Sequence, residues 1–97
     1  MPDRYELRYA IAFDQDLDAV SAYDAPVIRA AIQPLRHEAE IRTRNRRPLG
    51  QRVSWCPEAS WQLRIQQYRV LYDVQPGVVM LLRVTLKGRQ TSEEMGR

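Results

Sequence analysis

The chain has few of the side chains that cross-link small domains or bind metals. Its 97 residues include one cysteine, Cys56, and one histidine, His37. A single cysteine excludes an internal disulfide, and this pair alone cannot supply the ligands of a zinc site. We therefore expect no metal and no cofactor, and a fold that depends on one hydrophobic core.

Long apolar runs are also missing. No segment approaches the ~20 apolar residues of a membrane span, and the first ten residues, "MPDRYELRYA", lack the charged-then-apolar layout of a signal peptide. The hydrophobic content of 44% is ordinary for a globular protein. No internal repeat or linker divides the sequence. It therefore predicts one cytoplasmic domain over residues 1–97, with a flexible tail at 89–97 and no membrane partner.

Lysine is nearly absent, since fourteen of the fifteen basic residues are arginine. Residues 1–26 carry six acids and two arginines, whereas residues 27–97 carry thirteen bases and six acids. Five arginines fall within "IRTRNRRPLGQR", residues 41–52, which contains no carboxylate. The planar guanidinium binds phosphate or carboxylate in a bidentate manner, so this bias favours a polyanionic partner. On composition alone, the arginine preference of a GC-rich genome explains it equally well.

The N-terminal third combines strand and helix patterns. The stretch "YELRYAIAF", residues 5–13, alternates between two sets of side chains and predicts a half-buried strand. Phe13, Leu17 and Val20 then recur at helical spacing. Asp14 is placed to cap the start of that helix.

A second helix follows and leads into the arginine-rich stretch. Asp24 and Pro26 are typical of a helix start. Pro34 removes a backbone hydrogen bond, so the helix should kink or end near Gln33. Residues 41–52 are then expected to form a basic loop.

The last third predicts a three-stranded antiparallel meander, "SWQLRIQ", "QYRVLYDV" and "VVMLLRVTLK". A two-residue loop at Gln66 and Gln67 would set Arg64 directly opposite Arg69. Such a turn prefers glycine or asparagine, and this sequence has neither there.

The second turn is expected to be a three-residue loop, residues 75–77, which would pair Val74 with Val78 and Arg69 with Arg83. Both registers predict a continuous apolar face for the helices to cover. That face comprises Trp61, Leu63, Ile65, Tyr68, Val70, Tyr72, Val74, Val78, Met80, Leu82, Val84 and Leu86.

On the opposite face the two registers predict an arginine row, which we define as Arg64, Arg69 and Arg83, with Lys87 farther along. Like charges directly opposite each other in a sheet destabilise it by a few tenths to about 1 kcal/mol per pair. An anionic partner, either nucleic acid or an acidic protein, would explain the row. Neutralisation by local acids such as Asp73 is the alternative.

The sequence resembles a known family at this point. "WQLRIQQYRVLYDV", followed by "LLRVTLK", resembles the RelE/ParE superfamily of bacterial type II toxin–antitoxin modules. "LRHEAEIRTRNRRPLG" is similar to the H-E-P-x-x-x-T-R-N-R-K-P-L stretch of many members. The likeness spans residues 4–88 and implies an α+β fold. In that fold an N-terminal strand and a two-helix hairpin pack on an antiparallel sheet, which the C-terminal meander completes.

The resemblance also implies partners and a site. A cognate antitoxin with an acidic or amphipathic segment would cover the basic face. In the RelE-like branch that face binds messenger RNA on the ribosome and cleaves it, the 2′-hydroxyl attacking the adjacent phosphate. Arg69 matches the strand arginine that contacts the scissile phosphate, Arg64 and Arg83 would hold it, and Lys87 would assist charge or proton transfer. Flanking RNA would bind the basic stretch through Arg44, Arg46, Arg47 and Arg52.

Two alternatives stay open. The ParE-like branch inhibits DNA gyrase without cutting RNA, and a degenerate toxin would serve only as a module that binds its antitoxin. The segment "LKGRQTSEEMGR" has neither tyrosine nor histidine, whereas active RelE-like members usually carry an aromatic or histidine acid/base there. Cleavage needs a proton acceptor and a proton donor. Lys87, Glu93 and Glu94 are the remaining candidates.

Overall fold

A mixed five-stranded sheet forms the centre of the structure, a computed structural model that describes residues 4–86. The strands lie in the order β1-β5-β4-β3-β2. The elements are β1 (Glu6–Tyr9), α1 (Ile11–Asp18), α2 (Asp24–Ile32), α3 (Leu35–Glu38), β2 (Arg46–Pro48), β3 (Trp61–Ile65), β4 (Tyr68–Gln75) and β5 (Val78–Leu86). The predicted α+β fold is confirmed. The sheet is mixed rather than wholly antiparallel, because β1 runs parallel to β5.

The first strand is shorter than predicted. β1 ends at Tyr9, and α1 begins at Ile11 with Ala10 as its N-cap. Asp14 therefore lies in the first turn of α1 and makes no cap, so that prediction was wrong. Phe13 fits the apolar alternation of the strand in sequence, yet it belongs to α1. Its side chain is fully buried in the core.

The predicted break at Pro34 is confirmed. α2 ends at Ile32 with Gln33 as its C-cap, and Pro34 is the N-cap of the short α3. The first residue of α3, Leu35, is fully buried, so the break redirects the chain without losing core contact. Within residues 4–86, no helix combines the length and apolarity needed to cross a membrane.

The two hairpins of the meander differ in how well their registers were predicted. In the first, Arg64 lies opposite Arg69 and Ile65 opposite Tyr68, as expected. In the second, Gln75 pairs with Val78, so the predicted three-residue loop was wrong. The observed loop has two residues, proline and then a glycine at φ 73°. That sequence and the positive φ suit a type II turn.

The two-residue turn moves the first half of β5 to the face opposite the predicted one, and a register shift between Leu71 and Tyr72 restores the second half. Leu71 lies opposite Arg83, whereas the next residue, Tyr72, lies opposite Leu81, so Leu82 is an extra residue on β5. A slip of one residue exchanges the two faces of a strand. The predicted core residues Val78, Met80 and Leu82 are accordingly replaced by Val79 and Leu81.

The main core lies between the helices and one face of the sheet. Its buried residues are Tyr5, Leu7, Phe13, Leu17, Ile28, Ile32, Leu35, Ala39, Leu63, Ile65, Tyr68, Val70, Tyr72, Val79, Leu81 and Val84. A second, smaller cluster of Cys56, Ala59 and Leu71 lies outside it, with Leu49 and Trp55 packed alongside. Leu71 was predicted on the uncovered face, yet it is only 1% exposed. The chain's own residues 49–60 therefore cover part of that face.

A candidate anion-binding cleft

The arginine-rich stretch contains an edge strand, not only a loop. β2 pairs antiparallel with β3, placing Arg46 opposite Leu63 and Arg47 opposite Gln62. A tight turn precedes it, in which Thr43 and Arg46 exchange backbone hydrogen bonds of 2.8 and 3.3 Å. Because side chains alternate along a strand, consecutive arginines here face opposite sides of the sheet.

Arg46 faces the helices and is only 6% exposed. Its Nη1 donates to the carbonyl oxygens of Glu38 at 2.8 Å and Ile41 at 3.2 Å. Its Nη2 donates to the Glu38 carboxylate at 3.2 Å. The guanidinium thus satisfies carbonyls at the end of α3, where a cation is favourable. We remove Arg46 from the set predicted to bind RNA, since this side chain serves the fold.

Arg47 faces the other side and lines a cleft of about 540 Å³. Arg42 and Arg69 line the same cleft. Among the residues that the structure describes, no aspartate or glutamate lines it. The remaining lining residues are Pro48, Leu49, Gly50, Gln51 and Gln62. Three guanidinium groups without a carboxylate make this the arginine cleft, a name we keep for the site.

Arg69 is a partly buried arginine of the cleft. It lies directly opposite Arg64 across β3 and β4. Partial burial, with the nearby charges of Arg64 and Arg47, lowers the pKa of Arg69 from its ordinary value. Guanidinium pKa values are so high that the group stays charged at neutral pH. A bound anion would therefore offset both the cost of burying the charge and the repulsion from the neighbouring arginines.

Arg83 does not line the arginine cleft but forms an ion pair with Asp16. Its Nε and Nη2 donate to the two carboxylate oxygens of Asp16 at 2.7 and 3.1 Å, and the Val84 backbone N–H donates to the same carboxylate at 2.9 Å. The guanidinium carbon also lies 5.6 Å from the centroid of the Trp55 ring. The hydrogen bond and charge of Asp16 raise the pKa of Arg83.

The predicted arginine row was therefore wrong in its third member. Arg69 lies opposite Thr85, and Arg83 lies opposite Leu71. The two-residue turn and the extra residue on β5 each move the pairing by one position, so Arg83 lies two residues farther along β4 than predicted. What remains of the row is the pair Arg64 and Arg69.

The other predicted site residues lie around the cleft or beyond it. Arg44 is exposed at the tip of the turn before β2. Arg52 is exposed, and its Nη1 donates to the Pro57 carbonyl oxygen, which closes the loop over the second cluster. Lys87, the predicted catalytic cation, lies outside the described residues.

Two features of the cleft were not predicted. Arg42 was part of the basic stretch but was not assigned a role. Gln62 is only 7% exposed, and its Oε1 has no hydrogen-bond partner within residues 4–86. Both follow from the pairing of β2 with β3. That pairing is hard to predict from the residues of β2, because Pro48 argues against a strand except at a sheet edge.

Proton-transfer groups are missing from the described lining of the cleft. Its eight residues include no histidine, cysteine, tyrosine, lysine or carboxylate. Cys56 is in the second cluster, where burial raises the pKa of its thiol and disfavours the thiolate. The cleft therefore has the means to bind an anion, but its described lining offers no general acid or base.

Solved structures share this architecture. A chain of the archaeal RelE–RelB complex from Pyrococcus horikoshii matches with a TM-score of 0.70 and 18% identity, over 89% of this chain and 98% of that one. The RelBE2 toxin–antitoxin complex of Mycobacterium tuberculosis gives 0.66 and 23%, over 87% and 99%. The ParDE system of P. aeruginosa gives 0.62 and 16%, over 86% and 96%. The chain has the RelE/ParE fold.

No protein-family model matches the sequence, and no curated protein matches it. The likeness to RelE and ParE structures is therefore one of fold. Within this RelE/ParE fold, the arginine cleft lies on the sheet face opposite α1 and α2, since its floor residue Gln62 alternates with the core residue Leu63.

Proposed function

We propose that the chain is the toxin of a type II toxin–antitoxin module and that its arginine cleft binds the phosphates of RNA. The observation that carries this proposal is the convergence of Arg42, Arg47 and Arg69 on one cleft without a carboxylate. The RelE/ParE fold supports it independently, since solved chains of this fold come from toxin–antitoxin complexes.

The proposed reaction is ribosome-dependent cleavage of messenger RNA. The 2′-hydroxyl attacks the adjacent phosphate, negative charge develops on the phosphorane oxygens, and the bond to the 5′-oxygen breaks. Arg69, with Arg64 directly opposite, would stabilise that charge, because preorganised cations act most strongly in a partly dry site. Arg47 and Arg42 would hold flanking phosphates. Lys87 remains our candidate for proton transfer.

A second candidate is inhibition of DNA gyrase without catalysis. The absence of an acid or base from the described lining of the cleft favours it, because an inhibitor needs no proton transfer. The ParDE system among the structural neighbours also supports this candidate, because its matching chain shares the fold of this chain.

An antitoxin is the proposed protein partner in either case. Several large apolar side chains are exposed, among them Ile11 at 77% and Tyr23 at 89%. Burying such side chains against a partner is favourable by about 25 cal/mol per Å² of apolar area. The basic cleft would attract an acidic segment of the same partner.

Controlled expression in a bacterium tests these candidates together. For the wild-type chain we expect growth arrest with new transcript 5′ ends and no DNA-damage response. A DNA-damage response without new transcript 5′ ends would instead favour gyrase inhibition. Harmless expression would leave only an antitoxin-binding module.

Arg69→Ala tests the cleft. We expect toxicity to be lost while the protein stays folded and still binds its antitoxin through the exposed apolar side chains, because Arg69 is proposed to contact phosphate and not the core. Arg29→Ala, which removes an exposed arginine from α2, is the matched control and should remain toxic. A folded Arg69→Ala protein with full toxicity would refute the site.

A further inference from the structure

The floor of the arginine cleft contains a hydrogen-bond acceptor that the fold leaves unused. Gln62 is 7% exposed, lines the cleft, and its Oε1 has no partner among the described residues. Buried polar atoms are nearly always paired, and an unpaired one lowers stability. A ligand that brings a donor to this point would remove that cost.

The position of Gln62 indicates which part of a ligand it meets. Arg47 lies directly opposite it on β2, and Arg69 lies on β4 two residues from Leu71, the residue opposite Gln62 on that side. Gln62 is therefore flanked by one guanidinium on each neighbouring strand. If these two cations bind successive phosphates of a strand, the group that passes over Gln62 is the sugar between them.

We propose that Gln62 Oε1 accepts a hydrogen bond from the 2′-hydroxyl of that sugar, and that the cleft thereby selects RNA over DNA. This inference rests on the proposed function. The 2′-hydroxyl is the donor that RNA has and DNA lacks. A site that buries the matching acceptor discriminates against the analogue without the donor, because the acceptor is then left unpaired. A neutral amide oxygen is not a general base, so Gln62 acts as a specificity and positioning residue.

A base amino group is the other donor that a nucleic acid could offer. Base amino groups occur in both RNA and DNA, so a contact with one would change binding to the two polymers equally. The sugar contact predicts a change confined to RNA. Comparing binding to RNA and DNA therefore distinguishes a sugar hydroxyl from a base amino group as the donor to Gln62.

The test is equilibrium binding of the full chain to short single strands, followed by fluorescence anisotropy. The probes are RNA, DNA of the same base sequence with deoxyuridine for thymidine, and 2′-O-methyl RNA, which keeps the oxygen but loses the donor. We expect RNA to bind roughly threefold to tenfold more tightly than the other two, the worth of one hydrogen bond. Gln62→Met should abolish that preference by weakening binding to RNA alone.

Gln75→Met is the matched control, because Gln75 is exposed at the far end of β4. It should leave the preference for RNA unchanged. Gln62→Met should unfold at the same temperature as the wild type or a higher one, since it removes an unpaired buried acceptor. If the variant does not fold, binding by the wild-type chain still tests the proposal. Equal affinity of the wild type for RNA and 2′-O-methyl RNA overturns it.

Two further results overturn it: an unchanged preference for RNA in folded Gln62→Met, or equal weakening of binding to RNA and DNA. Failure of the underlying function has a different signature. In that case Arg69→Ala leaves binding to both polymers unchanged, or the wild-type chain binds neither.

Discussion

Arg46 and Arg47 are chemically identical, yet strand alternation gives them separate tasks. Arg46 binds the end of α3 from within the core face, and Arg47 lines the cleft. From composition alone, both are basic residues of one loop. Their different roles follow only from their alternating positions on β2. At the scale of single residues, backbone geometry decides what a side chain can do.

The same geometry imposes strain on Gln66. This residue has φ 55°, in the left-handed region that non-glycine residues adopt at a cost of about 1–2 kcal/mol. We predict that Gln66→Gly increases the free energy of unfolding by about 1 kcal/mol, which raises Tm by several degrees in a domain of this size. Thermal unfolding followed by circular dichroism measures the change.

Gln67→Gly is the matched control for that substitution. Gln67 does not have a positive φ, so glycine there only adds freedom to the unfolded chain and should lower Tm. Equal effects of the two substitutions would contradict the assigned turn geometry.

At the scale of elements, the Asp16–Arg83 ion pair joins α1 to the sheet. One carboxylate accepts hydrogen bonds from the Arg83 side chain and from the Val84 backbone N–H, and the pair is partly buried. Trp55 lies against the same guanidinium, so residues 49–60 are also connected to this point.

Removing the carboxylate tests this connection. We predict that Asp16→Ala lowers the free energy of unfolding by about 1–3 kcal/mol, because it leaves a partly buried cation and a backbone donor unpaired. Chemical denaturation measures it. Asp18→Ala, at an exposed position two residues later, should change stability by less than about 0.5 kcal/mol. Similar losses in both variants would mean that Asp16 contributes only net charge.

Sequence patterns predicted some elements and failed at others for identifiable reasons. The β3–β4 register follows from a two-residue loop and was correct. The β4–β5 register failed because Pro76 and Gly77 form a tighter turn, and because an extra residue at Leu82 restores the core face only for the second half of β5. No local pattern marks that residue, since Leu82 only extends the apolar run of residues 78–81.

The candidate site was partly predictable for the same reason. Arg69 was predicted from the β3–β4 register and the family resemblance, and Arg47 from the resemblance, and both line the cleft. Arg83 was misplaced by the register shift, and Gln62 was overlooked because its environment depends on β2, residues 46–48, beside it. Site residues whose neighbours come from a wrongly predicted element could not be identified from the sequence.

At the scale of the whole molecule, the charge is divided between two regions. Acidic residues concentrate in the N-terminal quarter, whereas the arginines of the cleft come from residues 42–69. Such a distribution attracts a polyanion to one face and orients it before contact.

Salt dependence measures that attraction. For single-stranded RNA we predict that the logarithm of the association constant falls with the logarithm of salt concentration with a slope of about −2, since three arginines each release roughly 0.7 counterion. Arg69→Ala should make the slope shallower by about 0.7. A slope near zero for the wild type would show that phosphate contacts do not drive binding.

The two edges of the sheet have a consequence for self-association. β1 has four residues, with exposed Glu6 and Arg8 paired to each other, and β2 has three, ending in Pro48. Short, charged or proline-containing edges resist pairing with strands of other chains, and thereby resist aggregation. Arg47 contributes to this protection as well as to the cleft. Replacing it with an apolar residue would therefore do more than weaken anion binding, because it would also leave the β2 edge open to the growth of insoluble sheets.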